Sequence, residues 1–469
     1  MARALKSRPK TPWGLRLPRW TRVLGLCASC VCFPATALGQ SILLGFRPPP
    51  PSPAPVDPRL PTGGPRFLGS ERPDDRGAPP VCSFRWPVCV HPAPGAADSV
   101  VLGLLAAAES AMDTLLLALD LPAPAPDAGA GGRSALDLYL QPGDPGVELV
   151  PEAVRFGTFD SAGGYCLVGS VDPSGLDRAA TLCVAEAIAA RLDPAATPHV
   201  RRAYATHLWW IAGAPSDQDV LAVSNAQLQP QSAVFGSELR PATEGAALVF
   251  EYLESKWAPS TPGDLATMVL ALAGSHTEPG AWRWHDEPDV LDVLRATFQG
   301  RPMSLPVLLG DFAVSRALLG RPGSVLSLAR WSGELGDLRA DKTIALSTLP
   351  RHVAFDRPVE PTGMTSFWIP FDVAAPGELT LGLRVEWEAP VAFQWIVVRV
   401  KPDGTEDSRV TIPFQERGTS AQQRVVNLDG LSGLLLVGTN MGGVDLAHPF
   451  DPDVAPYEPS GGTLYLGRL

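Results

Sequence analysis

The spacing of hydrophobic residues changes along the chain. Between residues 98 and 320, apolar side chains recur every three or four positions, which predicts helices with a buried face. From 379 to 387, apolar and polar residues alternate, which predicts a strand with one exposed face. The period changes near residue 345. The pattern therefore predicts an α+β protein, in which a mainly helical domain at 81–345 precedes a C-terminal antiparallel β-sandwich at 346–469.

The helical pattern predicts where individual helices begin and end. Asp98 and Asp177 are expected N-caps, Thr197 is a cap followed by a first-turn proline, and Gly213 closes a helix. The predicted helices cover 98–121, 177–192, 198–212, 242–257, 262–274, 287–300 and 304–320.

Strand patterns fall into two groups. Two short strands are predicted at 136–140 and 164–171, after a Gly/Pro-rich loop. A second group, separated by turn residues, supports the sandwich and covers 365–373, 379–387, 392–400, 408–414, 424–428, 433–440 and 462–469.

The N-terminus has the order of a secretory signal. Seven basic residues and no acidic one precede the apolar run 23–38, which ends among small residues. This order predicts a signal peptide at 1–39, cut after Ala37 or Gly39. An uncleaved anchor is the alternative, but the run contains Pro34 and is short for a span of about 20 residues. No later segment is expected to cross a membrane, which leaves a secreted, periplasmic or envelope protein.

A proline-rich segment follows the signal. Residues 47–80 read RPPPPSPAPVDPRLPTGGPRFLGSERPDDRGAPP. Repeated proline prevents helix formation and ladder pairing, so residues 40–80 are predicted to be a disordered, extended linker.

Charge excludes one class of partner. Without residues 1–39, 31 basic residues stand against 49 acidic ones, a net charge of −18. A surface of this sign repels phosphate, and no basic stripe with interleaved aromatic residues is present. We therefore expect no nucleic-acid partner and predict an unidentified protein or glycan.

Four cysteines remain after the signal. Cys82, Cys89, Cys166 and Cys183 form an even set in an exported chain, which predicts two disulfides. Of the three pairings, the local one (82 with 89, 166 with 183) closes short loops and fits the order of segments. A four-thiolate zinc site is the alternative, but no C-x-x-C pair supports it.

The order of elements has a resemblance, carried by the helix that contains CVAEAIAARL at 183–192. A signal, a proline-rich spacer, an early helix, a short strand, this helix and a terminal sandwich together resemble secreted bacterial zinc metallopeptidases of the gluzincin kind. The likeness covers residues 95–469 in order of elements, while its match in motif residues is small.

The resemblance implies a site that has lost its metal. The family's His-Glu-x-x-His frame falls on Ala185, Glu186 and Ala189, so only the glutamate matches, and methyl groups bind no zinc. The family's third ligand, a glutamate on the next helix, has its nearest counterpart at Arg202. The expected protein therefore has no metal, no cofactor and no catalytic residues.

Glu186 has two interpretations. It is either a lone acid or base, or a helix carboxylate paired with Arg191 or Arg202. His199 and His207 lie two helical turns apart, too far to share an ion, and His207 is predicted to be a half-buried packing residue. His276 and His285 flank a loop that has three acidic residues nearby, Glu278, Asp286 and Glu287. We interpret this group as a chance cluster on the surface.

Three functions remain open on this evidence. The leading one is an exported, non-catalytic metallopeptidase-like protein with a binding or structural role in the cell envelope. The second is a hydrolase with an unrecognised site near Glu186 and His207. The third is a carbohydrate or adhesion module on the sandwich, with Trp368, Trp387 and Trp395 as the aromatic candidates, although core packing is the favoured interpretation of these tryptophans.

Overall fold

The fold is taken from a computed structural model, whose described residues belong to one compact unit, Pro51–Leu469. The predicted signal, and the linker as far as residue 65, lie outside the described residues. These are 66–67, 71–73, 79–143, 146–156, 159–170, 172–213, 215–235, 243–277, 284–285, 287–298, 304–319, 331, 342–371, 379–388, 391–415, 418–442 and 459–469.

Helices dominate the middle of the described chain. They are α1 (Asp98–Met112, continued by a π-helical turn at Asp113–Ala118), α2 (Leu176–Leu192), α3 (Pro198–Ala212), α4 (Asp217–Leu228), α5 (Ala247–Trp257), α6 (Asp264–Leu272), α7 (Val290–Phe298) and α8 (Leu305–Ala317). Every helix predicted from the spacing is present. Helix α4 was not predicted.

A mixed sheet of six strands packs against α1 and α2, and α1 lies between its third and fourth strands in the chain. Its strands are β1 (Arg66–Phe67), β2 (Val81–Cys82), β3 (Val88–His91), β4 (Leu136–Leu140), β5 (Val147–Arg155) and β6 (Ser161–Val168). The order across the sheet is β1-β5-β6-β4-β3-β2, with β3, β4 and β6 parallel to one another. The sequence predicted only β4 and β6. A two-stranded sheet, β7 (His276–Thr277) and β8 (Trp284–His285), lies among the helices.

Two further sheets form the C-terminal part. Their strands are β9 (Lys342–Thr343), β10 (Arg351–Ala354), β11 (Met364–Pro370), β12 (Leu381–Trp387), β13 (Phe393–Val400), β14 (Glu406–Thr411), β15 (Ser420–Val425), β16 (Gly433–Asn440) and β17 (Gly462–Arg468). The four-stranded sheet has the order β10-β17-β12-β15, and the five-stranded sheet has the order β14-β13-β16-β11-β9. The predicted α+β class with a C-terminal β-sandwich is confirmed.

The five-stranded sheet is buried on both faces. Trp395 and Val397 of β13 pack into the core between the two sheets. The alternate residues Ile396 and Val398 pack instead with Val314 of α8. Since successive side chains of a strand point to opposite faces, a strand between two cores favours consecutive apolar residues, as at 395–398 of β13. The apolar run in this strand therefore reflects two cores, one on each face of the sheet.

Only some of the helix caps predicted from the sequence are present. Thr197 caps α3 by accepting a hydrogen bond from the amide of Val200, and Gly213 ends that helix, as predicted. The other two cap predictions are wrong. Asp98 is the first residue of α1 and lies after the cap. Asp172, five residues before Asp177, accepts from amides in the short turn that leads into α2.

Helix α1 and its continuation are long and apolar. Among the described helices, Asp98–Ala118 alone has the length and composition of a membrane span. Length and composition do not show that this helix crosses a membrane, so the expectation that no later segment does so stays a prediction. Leu104, Ala108 and Met112 of this helix are fully buried in the hydrophobic core, as in a core helix of a folded domain.

One disulfide lies within the six-stranded sheet, and a second links this sheet to helix α2. Cys82 pairs with Cys89 between β2 and β3, and Cys166 of β6 pairs with Cys183 of α2. The local pairing is thus present. The two disulfides indicate an oxidising environment, extracellular or periplasmic.

We expect the second disulfide to contribute more stability than the first. Its two cysteines are 17 positions apart in sequence, against 7 for Cys82 and Cys89. Longer closed loops restrict the unfolded chain more, so Cys166→Ala/Cys183→Ala should lose about 3 kcal/mol and Cys82→Ala/Cys89→Ala about 2 kcal/mol. Urea unfolding of both variants measures the two losses. A larger loss for the shorter loop would contradict this expectation.

Candidate functional site

The helix that carries the motif-like frame is a core helix. Helix α2 packs against α1 and α3 and against strands β5 and β6, so nearly all of its residues are buried. Its many alanines allow close packing on every side. Among these small side chains Glu186 is 4% exposed, and a buried carboxylate requires partners.

Glu186 has those partners at both carboxylate oxygens. Its Oε1 accepts a hydrogen bond from Nε of Arg202 on α3. Its Oε2 accepts from the amide of Leu149 on β5, at 3.1 Å. Arg202 in turn donates to the carbonyl of Val147 on the same strand. The ion pair therefore joins α2, α3 and β5 and supplies partners to two backbone groups of the strand.

The ion pair extends into a line of alternating charges. Nη1 of Arg202 lies 3.4 Å from Glu244, which accepts a 2.6 Å hydrogen bond from Arg178. Arg178 also reaches Asp219 of α4 at 3.3 Å. Three carboxylates and two guanidinium groups thus alternate along the junction of α2, α3 and α4, each with an oppositely charged neighbour. This alternation offsets much of the cost of burying the charges.

The environment stabilises the charged forms. Burial alone would lower the pKa of Arg202, but Glu186 and Glu244 raise it above its ordinary value. Burial alone would raise the pKa of Asp219, but hydrogen bonds from Ser216 and from Trp209 hold it below its ordinary value. Both shifts favour the charged forms of these two residues, Arg202 and Asp219.

The positions of the resemblance do not fit a zinc ion. Ala185 and Ala189 are both 0% exposed, and methyl groups have no donor atoms. Arg202 places a cation beside Glu186, where the family places a metal ligand. Of the two interpretations of Glu186, the paired carboxylate is confirmed, with Arg202 as its partner. Arg191 instead donates to the carbonyl of Ala123.

His207 is more deeply buried than predicted. Its side chain is 1% exposed, and its Nε2 lies 3.0 Å from Oε2 of Glu254. Glu254 accepts hydrogen bonds from the amides of Gly263, at 2.7 Å, and Ala266, at 3.2 Å. The expectation that His207 is only half-buried is therefore wrong, because its imidazole lies inside the core beside this carboxylate. His199 is buried as well.

The remaining histidine group is only partly described. His276 and His285 face each other in the backbone register of β7 and β8. Glu278 and Asp286 lie outside the described residues, and Glu287 is described. Within the part of the chain that the structure describes, no group of three or more His, Cys, Asp or Glu side chains is arranged to hold a metal ion.

Asp193, which follows α2, is a buried acid with an altered pKa. Burial raises the pKa of Asp193 to about 7, even though its Oδ1 accepts from the amides of Ala195 and Ser275 and Arg201 lies nearby. An acid with a raised pKa binds its proton more tightly in the folded protein than in the unfolded chain. This acid therefore favours folding at low pH, and its contribution is lost as the pH rises from about 4 to about 7.

We expect Asp193→Asn to reduce this pH dependence. Between pH 4 and pH 8, the wild-type free energy of unfolding should fall by about 1–4 kcal/mol more than that of the variant, since one pKa unit equals about 1.4 kcal/mol. Urea unfolding at both pH values measures the difference, with Asp429→Asn as an exposed control. Equal pH dependence of wild type and Asp193→Asn would contradict the assignment.

The tryptophans of the sandwich are buried. Trp395 and Trp387 lie between the two sheets and are 1% and 7% exposed. Trp368 is 9% exposed and packs under α8. Core packing, the favoured interpretation, is confirmed, and these three residues do not form an exposed platform for a sugar.

A second charged cluster was not anticipated. Arg72, from the segment predicted as linker, contacts the carboxylates of Asp127, Asp137 and Glu152. Asp127 and Asp137 are fully buried, and Glu152 is 6% exposed. The expectation of a disordered linker over residues 40–80 is therefore wrong at residues 66–67, which pair with β5, and at Arg72. The physical reason at Arg72 is that buried carboxylates require a cation.

Comparisons with known proteins add little. No protein-family model and no curated protein match this chain. A solved structure of the insecticidal delta-endotoxin Cry8Ea1 from Bacillus thuringiensis is similar over 25% of this chain and 19% of its own, with 13% identity and a TM-score of 0.14. The chain thus spans about a fifth of that toxin's length. A likeness this weak carries no argument about fold or function.

Proposed function

We propose that this chain is an exported, non-catalytic metallopeptidase-like protein with a binding or structural role in the cell envelope. The observation that carries the proposal is the state of Glu186. Both of its oxygens are engaged, by Arg202 and by the amide of Leu149, and the side chain is 5% exposed. A general base must reach the proton that it removes, and this carboxylate is held away from solvent.

The export part of the proposal rests on separate observations. The N-terminal order of basic, apolar and small residues is typical of a secretory signal. Two disulfides fit an oxidising compartment outside the cytoplasm. The acidic mature chain suits a protein or glycan partner better than a phosphate backbone.

The hydrolase alternative receives less support. Glu186 is paired with Arg202, whereas His207 lies beside a different residue, Glu254. Glu186 and His207 therefore do not contact a common partner. A catalytic acid–base pair requires its members to meet at one reacting centre. The contacts of these two residues instead fit structural roles on helices α2 and α3.

Peptide hydrolysis tests the proposal directly. We compare the purified mature chain with Glu186→Gln and with Glu148→Gln, which removes an exposed carboxylate from β5. All three proteins, supplied with zinc, should give the same background rate on a quenched fluorescent peptide library. A rate about 100-fold above background that is lost in Glu186→Gln and kept in Glu148→Gln would overturn the proposal, since a general base contributes at least that factor.

A further inference from the structure

An N-terminal strap crosses the edge of the six-stranded sheet. We use this name for residues 66–67 and 71–73. Its first part, β1, pairs antiparallel with β5, with Arg66 opposite Val154 and Phe67 opposite Ala153. Without β1, strand β5 would be the edge of the sheet. Adding an extended segment to an exposed sheet edge is a common way for proteins to bind peptides.

The second part of the strap places an arginine in an acidic pocket. Nε and Nη2 of Arg72 donate to Glu152 at 2.9 and 2.6 Å, Nη2 also donates to Asp127 at 2.8 Å, and Nη1 donates to Asp137 at 2.5 Å. The hydroxyl of Tyr139 lies 3.3 Å from Nη1. Every nitrogen of the guanidinium thus has a partner. An ammonium group lacks this planar fork, so the pocket selects arginine over lysine.

Two tyrosine rings next to the acidic pocket also contact the strap. The guanidinium carbon of Arg72 lies 5.1 Å from the ring centre of Tyr165 and 5.9 Å from that of Tyr139. The hydroxyl of Tyr165 donates to the carbonyl of Glu71, at 3.1 Å. Backbone and side chain of the strap are therefore both recognised, as in a bound peptide.

The pocket is held in shape by contacts outside the strap. Asp127 accepts from the amides of Gly129, Gly131 and Ala135, at 2.9 to 3.2 Å. On the other side, Nε2 of His91 lies 3.1 Å from Asp137, and the His91 ring stacks on that of Tyr139 with 4.1 Å between ring centres. These contacts hold two of the three carboxylates, those of Asp127 and Asp137, in place independently of the strap.

Gly131 leaves the space that the guanidinium needs. A Cβ atom at this position would lie 1.8 Å from Oδ2 of Asp137 and 2.4 Å from Nη1 of Arg72. Any larger residue at position 131 would collide with the ion pair of Arg72 and Asp137. The backbone of this loop therefore lies in direct contact with that ion pair.

We propose that the β5 edge and this acidic pocket form a receptor site for an arginine-bearing extended peptide of a partner protein. The strap is then the intramolecular occupant, which a partner must displace. The pocket is the cluster Asp127, Asp137, Glu152, Tyr139 and Tyr165. The inference deepens the proposed binding role by naming its partner class. Its test is independent of the hydrolysis assay, so either proposal can fail alone.

The test uses the strap sequence as the probe. A fluorescent peptide RFLGSERP, which copies residues 66–73, and its control RFLGSEAP are titrated into Arg72→Ala, whose strap has lost its anchor. The arginine peptide should bind Arg72→Ala at least about 30-fold more tightly than the alanine peptide, because unpairing buried charges is costly. It should bind the wild type at least about 10-fold more weakly, because the attached strap competes at high effective concentration.

Three results would overturn the proposal: equal affinity of the two peptides for Arg72→Ala, no binding of either, or equal affinity of RFLGSERP for wild type and Arg72→Ala. The control protein is Arg85→Ala, which removes an exposed arginine from an ion pair with Asp113. It should bind RFLGSERP as weakly as the wild type does.

A second variant keeps the proposal testable if Arg72→Ala does not fold. A site for a specific protease is inserted between Asp75 and Arg76, and the folded protein is cut there. Retention of the released strap on gel filtration, or its exchange for RFLGSERP and not for RFLGSEAP, supports a peptide receptor. Loss of the strap with no peptide uptake overturns it.

Discussion

Replacing Arg202 with methionine is expected to lower the free energy of unfolding by about 3–5 kcal/mol, the cost of removing one partner from a buried ion pair. Stability is lost because the substitution leaves a buried carboxylate and a backbone carbonyl without the partner that Arg202 supplies. Glu186 would remain inside the protein with the amide of Leu149 as its hydrogen-bond donor among the described residues and the charge of Arg201 nearby. Val147 would also lose the donor to its carbonyl oxygen. Urea unfolding measures the change.

A double variant separates an unpaired charge from lost packing. Glu186→Gln/Arg202→Met removes both charges, so it should recover at least half of the stability that Arg202→Met alone loses. Arg384→Met is the matched control, since Arg384 pairs with Glu386 on the surface. Exposed pairs contribute about 0–1 kcal/mol. A double variant less stable than Arg202→Met would contradict the ion-pair account.

Replacing Arg72 with alanine is expected to cost a similar amount, about 3–5 kcal/mol. Arg72 is the cation shared by Asp127, Asp137 and Glu152, of which the two aspartates are fully buried. Its removal leaves three carboxylates facing one another. The variant should remain folded if the wild type has an ordinary stability of about 5–15 kcal/mol.

Arg85→Ala is the control for this second prediction as well. The Arg85 side chain is 59% exposed, and its partner Asp113 is 33% exposed. Its loss should change the free energy of unfolding by less than about 1 kcal/mol. If Arg72→Ala were as stable as Arg85→Ala, the strap would not be anchored by its arginine.

Local patterns predicted seven of the nine described C-terminal strands, all except β9 and β10, and most helices. The alternation from Leu381 to Trp387 and the apolar runs at β13 and β16 need only neighbouring residues to be recognised, and each matches a strand. Helix α4 was missed because its buried face mixes apolar residues with the polar Asp219 and Gln227. Its capping box, in which Ser216 and Asp219 bond reciprocally, was the signal that the spacing argument did not use.

The six-stranded sheet was mostly missed for a different reason. Strand β5 contains Pro151 and two glutamates, which disfavour a strand on local propensity. It forms because β6 pairs along its length and tolerates an irregular register near Pro151. Such pairing depends on distant residues, so a local pattern does not reveal it.

Only part of the candidate site was predicted from the sequence. The resemblance to the metallopeptidase motif led to the hypothesis that Glu186 pairs with Arg191 or Arg202, and Glu186 contacts Arg202. The sequence does not indicate that Glu244, Arg178 and Asp219 belong to this network, since one charge among many does not indicate its ion-pair partner. Arg72 was assigned to the linker on composition alone, although its basic side chain is recognised by acids more than fifty positions away.

Zinc stoichiometry of the purified mature chain tests the central claim most directly, that Glu186 is a structural partner of Arg202. Wild type, Glu186→Ala and His207→Ala are dialysed against zinc and analysed by mass spectrometry of the metal. The account predicts the same substoichiometric zinc content in all three proteins, because Ala185 and Ala189 supply no ligand. One zinc ion per wild-type chain, lost in both variants, would contradict it.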